Sequence, residues 1–195
     1  MRLAIAEINL KALAHNLAQV KRFAPGCKVM AVLKANAYGH GLVKIAQYLN
    51  DADAFAVARI DEALALRAGG LTKPIVLLEG FFHKDDLPIL LANNFQTIIH
   101  DENQLATLEN TSLDAPIACW LKVNTGMHRL GIAPSQFESF YSRLKASQNA
   151  RDDIKLMTHF SCADDINDEK TAQQIALFFH HNKFGYLLEE YSWDQ

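Results

Sequence analysis

Residues 29–41 read Val29-Met30-Ala31-Val32-Leu33-Lys34-Ala35-Asn36-Ala37-Tyr38-Gly39-His40-Gly41. The opening apolar run is too short for a helix and does not alternate, so it describes a strand buried on both faces. It stops on a charge, Lys34. A loop over 35–41 then leads into a helical pattern carrying Leu42, Ile45, Ala46 and Leu49. Strand, loop and helix in that order make a βαβ unit when repeated. A doubly wound sheet would place Gly-x-Gly-x-x-Gly after this first strand, and residues 34–41 do not fit that pattern.

Outward from here the same alternation recurs. Strands are expected over 54–58, 74–78, 96–99, 117–123 and 154–160. Helices are expected through Ala63, Leu64 and Leu66 up to Gly69-Gly70, through Leu87, Leu90 and Leu91, over 102–108, and over 169–178 with Asp168 as cap. Upstream, Asn9 caps a helix over 10–23 whose Leu10, Leu13, Leu17 and Val20 form one stripe, and Pro25-Gly26 stops it. The expected fold class is α/β, a (β/α)8 TIM-type barrel left incomplete at about six strand–helix units. A full barrel takes ~250 residues, and the chain has 195. The barrel domain is assigned to 1–178 and a divergent tail to 179–195.

Composition narrows the class. Half the residues are hydrophobic and the net charge is −3, with signs mixed along the chain. That suits a buried core and gives no polybasic face for nucleic acid. No apolar run approaches the ~20 residues of a membrane span, and Arg2 and Glu7 interrupt any leader-like stretch. The expectation is a cytoplasmic protein without nucleic-acid or membrane partners. Three cysteines, Cys27, Cys119 and Cys162, lie far apart without a Cys-x-x-Cys pair, which disfavours a disulfide framework or structural zinc. No metal site is expected, and the adjacent His180-His181 reads as a solvated pair.

Three clusters could carry chemistry. Lys34 ends a strand, and in a barrel that is where catalytic groups sit. A lysine partly desolvated there offers a neutral amine that can attack a carbonyl; the bland alternative is a lysine that marks the strand end and reaches water. Gly39 and Gly41, the helix start beyond them and the Tyr38 hydroxyl suit an anionic phosphate, so the combination fits pyridoxal phosphate. The second cluster is Lys122-Val123-Asn124-Thr125-Gly126-Met127-His128-Arg129-Leu130-Gly131. Lys122 alternates with Leu121 and Val123 and is expected to face the barrel interior, where it needs a partner or a changed charge state. Arg129 needs an acceptor such as a phenolate oxygen. Both could instead snorkel to the surface. The third cluster, Thr158-His159-Phe160-Ser161-Cys162, puts His159 at the end of the sixth strand, where a satisfied structural histidine and a weaker Cys162–His159 nucleophile pair are the alternatives.

On these residues the chain resembles the alanine racemases. The stretch from Ala31 to Gly41 is similar to their cofactor-lysine signature, and the likeness extends to Ala4-Ile5-Ala6-Glu7-Ile8-Asn9-Leu10, to 122–131 and to Thr158-His159-Phe160. The resemblance implies a (β/α)8 barrel followed by a mostly β domain, a homodimer, pyridoxal 5'-phosphate as cofactor, and alanine as substrate. It implies that Lys34 holds the cofactor and acts as one acid–base group. By the same resemblance Tyr38 helps hold the phosphate, and Arg129 binds the phenolic oxygen and approaches the substrate carboxylate. Lys122 lies next to Arg129 and in many members is carbamylated, and His159 lies beside the cofactor ring. The opposite-face tyrosine of the family's C-terminal domain has no counterpart, nor have its late-barrel phosphate contacts, and Asn124 stands where Asp is common. The tail, from Phe179 through Tyr186, Tyr191 and Trp193 to Gln195, carries no family pattern. These departures predict a truncated or frameshifted gene product with open strand edges, low stability and little activity alone. The alternatives are a non-catalytic single-barrel pyridoxal-phosphate-binding or homeostasis protein and a gene remnant without function.

Overall fold

A computed structural model describes residues 5–181. The tail from 182 and the His180 and His181 side chains lie outside the described residues, and so do the expectations that fall on them. Six strands form one parallel sheet in sequence order, β1 (Met30–Val32), β2 (Ala54–Val57), β3 (Ile75–Leu77), β4 (Phe95–Ile99), β5 (Cys119–Lys122) and β6 (Lys155–Met157). Each lies inside its expected apolar run, or one residue beyond it at Phe95. The register runs Met30 to Ala54, Phe55 to Ile75, Ile75 to Phe95, Thr97 to Cys119 and Trp120 to Lys155.

Parallel strands bury both faces, and two clusters record this. Phe55, Val57, Ile75, Leu77, Phe95, Ile99, Cys119 and Leu121 pack outward under the helices. Ala56, Val76, Ile98 and Trp120, with Met30, Leu78 and Met157 against them, pack on the other face. Residues of β1 (Met30, Val32) and β6 (Leu156, Met157) line one groove together, which a flat sheet of six strands would forbid. The sheet is therefore curled into an open barrel, with its second cluster inside. There Trp120 Nε1 donates to Gln96 Oε1 at 2.7 Å, which gives the buried indole N–H an acceptor.

The helices are α1 (Leu10–Phe23), α2 (Lys34–Tyr38), α3 (Leu42–Tyr48), α4 (Ile60–Ala68), α5 (Asp86–Ala92), α6 (Glu102–Glu109), α7 (Phe137–Ala146) and α8 (Lys170–His181), and all but the single turn α2 at the rim lie outside the sheet. Asn9 caps α1 as expected, its side chain accepting from Ala12 N at 3.1 Å. Asp168 accepts from Lys170 N at 2.8 Å at the start of α8. Two elements differ from the sequence reading. The helix α7 was not anticipated; it buries Phe137, Phe140, Tyr141 and Leu144, and Arg143 forks onto Glu109 and Glu102 of α6. The second is α2, expected as a loop and found as a single turn wound left-handed. None of the described helices is long and apolar enough to cross a membrane.

Candidate active site

The site starts from strand alternation. Val32, Leu78, Trp120 and Met157 face the barrel interior, so Lys34, Lys122 and His159, each two residues beyond one of these, continue the same inward rows at the C-terminal ends of the strands. Lys34, Tyr38, Lys122, Arg129 and His159 line one cavity of about 300 Å³, together with Glu79, Leu130 and Thr158. The structure thus brings together all five residues singled out from sequence. Glu79 was missed; its signal was a carboxylate directly after the apolar run that ends at Leu78.

Lys34 is followed by four left-handed residues, Ala35, Asn36, Ala37 and Tyr38, with φ between 52° and 55°. None is glycine, and each such residue costs ~1–2 kcal/mol. Ordinary hydrogen bonds hold the turn: Ala37 N donates to Leu33 O at 2.8 Å, Gly39 N to Ala35 O at 3.0 Å, and Gly41 N to Asn36 O at 3.0 Å. The Asn36 side chain accepts from Leu42 N at 2.8 Å, tying the turn to α3. Glu62 of α4 ties it to the next unit: one carboxylate oxygen accepts from Asn36 N at 3.0 Å, the other from Ala58 N at 3.1 Å. Strain of this kind survives only where surrounding contacts over-determine it, and its effect is to fix Lys34 and Tyr38 on the same rim.

Arg129 is carried by a loop that closes on itself. Asn124 N donates to Ile132 O and Ile132 N to Lys122 O, both at 2.9 Å. The Asn124 side-chain oxygen accepts from Gly126 N at 3.2 Å and His128 N at 2.9 Å. Gly131, at φ +129°, lies so near Asn124 that an added Cβ would sit 2.7 Å from its backbone nitrogen. Asn124 therefore organises the loop by accepting hydrogen bonds.

Electrostatically the cavity is cationic. Lys122 is only 6% exposed. Burial pushes its pKa down, Arg129 and Lys34 push it further, and Glu79 partly opposes them. The His159 pKa is likewise lowered by burial first, then by Arg129, Lys122 and Lys34. Three cations against the single carboxylate Glu79 leave excess positive charge, and among the described residues no ion pair holds Lys34, Lys122 or Arg129. Such a lining favours an anionic ligand. An amine at the rim, a hydroxyl beside it and an imidazole on the same lining add the means to bind a carbonyl-bearing phosphate, so the donor set fits pyridoxal phosphate.

Parallel strands curled around an apolar interior, with polar groups gathered at their C-terminal ends, define the (β/α)8-barrel class with a strand-end lysine site. Comparison with known proteins narrows this. The family model for the alanine racemase N-terminal domain matches residues 8–183, and the chain belongs to that family. It is 55% identical over 178 residues to the alanine racemase of Aeromonas hydrophila, covering 91% of this chain and 50% of the relative. It is 52% identical over 178 residues to the biosynthetic alanine racemase of Escherichia coli K12, with 91% and 50% covered. The crystal structure of the biosynthetic alanine racemase from Pseudomonas aeruginosa superimposes with a TM-score of 0.84 at 38% identity, covering 89% of this chain and 49% of that one. The chain spans about half the length of the curated relatives it matches.

Proposed function

We propose that this chain forms the barrel half of a pyridoxal-phosphate-dependent racemase that interconverts L-alanine and D-alanine, and so supplies D-alanine for cell-wall synthesis. The observation that carries the reading is the cationic cavity that gathers Lys34, Tyr38, Lys122, Arg129 and His159 in a member of this family. Pyridoxal phosphate, when bound, supplies an electron sink that acidifies the substrate Cα proton. Lys34 would hold the cofactor through its amine, and once the substrate amine has displaced it, the freed Lys34 amine would take or return the Cα proton on its own face of the substrate. Tyr38 donates its hydroxyl to the phosphate. Arg129 donates to the phenolic oxygen and orients the substrate carboxylate, which its planar fork suits. His159, whose pKa is lowered by partial burial and by the neighbouring cations, would sit beside the ring without adding charge.

Lys122 has a particular task in this reading. Carbamylation by CO2 would convert its buried amine into an anion able to pair with Arg129, relieving the burial penalty and like-charge repulsion that lower its pKa. The opposite-face acid–base group comes from a second domain of a partner subunit, so the working assembly is a homodimer in the cytoplasm. The test is borohydride reduction after incubation with pyridoxal phosphate, followed by peptide mapping. One stable adduct on Lys34 supports the reading. Scattered labelling of exposed lysines, with Lys34 unmodified, overturns it.

A further inference from the structure

Gln174 of α8 is 1% exposed, a buried amide on a helix whose neighbours are largely apolar. All of its main hydrogen-bonding capacity is used, and all of it on the two loops that carry site residues. Its Nε2 donates to Thr125 Oγ1 at 3.1 Å and to the His159 carbonyl at 3.0 Å. Its Oε1 accepts from Ser161 N at 3.0 Å and Ser161 Oγ at 3.2 Å. The backbone partners fix the amide's orientation, since a carbonyl can only accept and an N–H can only donate.

The chain of bonds continues with a direction. Thr158 Oγ1 donates to Val123 O at 3.0 Å, which uses its one proton. The 2.7 Å contact between Thr125 Oγ1 and Thr158 Oγ1 is then a donation from Thr125. Thr125 is left as the acceptor for Gln174. A relay of one sense thus runs from Gln174 through Thr125 and Thr158 to the backbone at Val123, one residue after Lys122. The neighbouring Gly126 packs on the same amide, its would-be Cβ 3.2 Å from Gln174 Cγ.

We infer that Gln174 is a positioning residue, which clamps the His159 segment to the loop that presents Arg129 and so sets the separation of those two groups across the cavity. Its consequence for cofactor binding rests on the racemase reading above; the clamp itself does not. The backbone just after His159 is gripped at two points, its own carbonyl and Ser161 N, while the Thr125 contact reaches the Arg129 loop near its base. Gln174 does not itself line the cavity.

The test uses the 195-residue chain and three variants, Gln174→Glu, Thr125→Val and Thr125→Ser. Gln174→Glu keeps the shape and the acceptor for Ser161 but removes both donors. Thr125→Val keeps the shape and breaks the relay, whereas Thr125→Ser keeps the hydroxyl and loses the methyl. Two readouts are taken: the His159 imidazole resonances without cofactor, assigned with His159→Gln, and the pyridoxal phosphate concentration that half-saturates borohydride trapping at Lys34. The expected result is that Gln174→Glu and Thr125→Val both shift the His159 signals and raise half-saturation roughly tenfold, the scale of a lost buried hydrogen bond. Thr125→Ser stays near wild type. A packing role would reverse the order of the two Thr125 variants, and that result, or unchanged His159 signals in both Gln174→Glu and Thr125→Val, overturns the inference. If wild type shows no Lys34 adduct, the racemase reading fails and the resonance comparison still decides the clamp.

Discussion

Ala35→Gly is expected to stabilise the protein, against the usual direction of point mutations. Ala35 is exposed and sits at φ 52°, ψ 51°, so its methyl group makes no core contact and serves only to oppose the left-handed backbone. Glycine relieves that opposition, worth ~1–2 kcal/mol. It also gives the unfolded chain more freedom, which costs ~0.5–1 kcal/mol. The net gain lies between about 0 and 1.5 kcal/mol, near 0.7 at the middle of both ranges. In a domain of this size a kilocalorie moves the melting midpoint by roughly 2–4 °C, so calorimetry resolves the effect and denaturant titration checks it at 25 °C. Gly39→Ala is the mirror experiment: φ is +85° with nothing within 4 Å of an added Cβ, so strain alone should cost about 1 kcal/mol. A destabilised Ala35→Gly protein alongside an unaffected Gly39→Ala protein would refute the claim that the turn after Lys34 stores backbone strain.

Other substitutions test the remaining supports. Glu62→Ala should lose about 1–2 kcal/mol in denaturant titration and speed hydrogen exchange at the Ala37 and Gly39 amides, because Asn36 N and Ala58 N lose their acceptor; exchange at wild-type rates would argue that α3 alone holds the turn. Gly131→Ala should cost about 2 kcal/mol or more from strain and contact with Asn124, read as a lower melting midpoint. Lys122 has a folded pKa below the ordinary 10.5, so between those two values the unfolded chain binds more protons and stability rises with pH. Lys122→Met should flatten that slope and raise stability at neutral pH, measured by melting across a pH series with CO2 excluded. Burial pushes the Cys119 thiol up to about 12, whereas Cys27 is exposed; alkylation of the native protein should modify Cys27 and leave Cys119 intact until unfolding.

Much of this arrangement was legible because strand residues alternate. Val32 and Lys34, or Trp120 and Lys122, can be assigned to one face without coordinates once the runs are seen as strands, and the strand ends then collect the site. The left-handed turn was not legible, since four successive residues with side chains give no local sign of it; distant groups, Glu62 and the Leu42 amide, hold it. The helix α7 was legible but overlooked: Phe137, Phe140, Tyr141 and Leu144 recur at helical spacing behind Pro134, which opens a short 3-10 turn ahead of it. Glu79 was visible only as a charge past a strand. Gln174 could not have been found, because its partners come from two loops far away in sequence.

Every strand of the sheet pairs with the one made just before it, and the widest of the interstrand spans in sequence is that between Trp120 and Lys155. Pairings between near neighbours lose little chain entropy on closing, so the first five strands can assemble in order as they leave the ribosome. The β5–β6 closure comes latest, and it is the step that carries His159 to Lys122 and Arg129. A newly made chain therefore acquires its scaffold first and its binding chemistry last, and a cofactor added during synthesis would find a competent pocket only once residues beyond β6 had emerged.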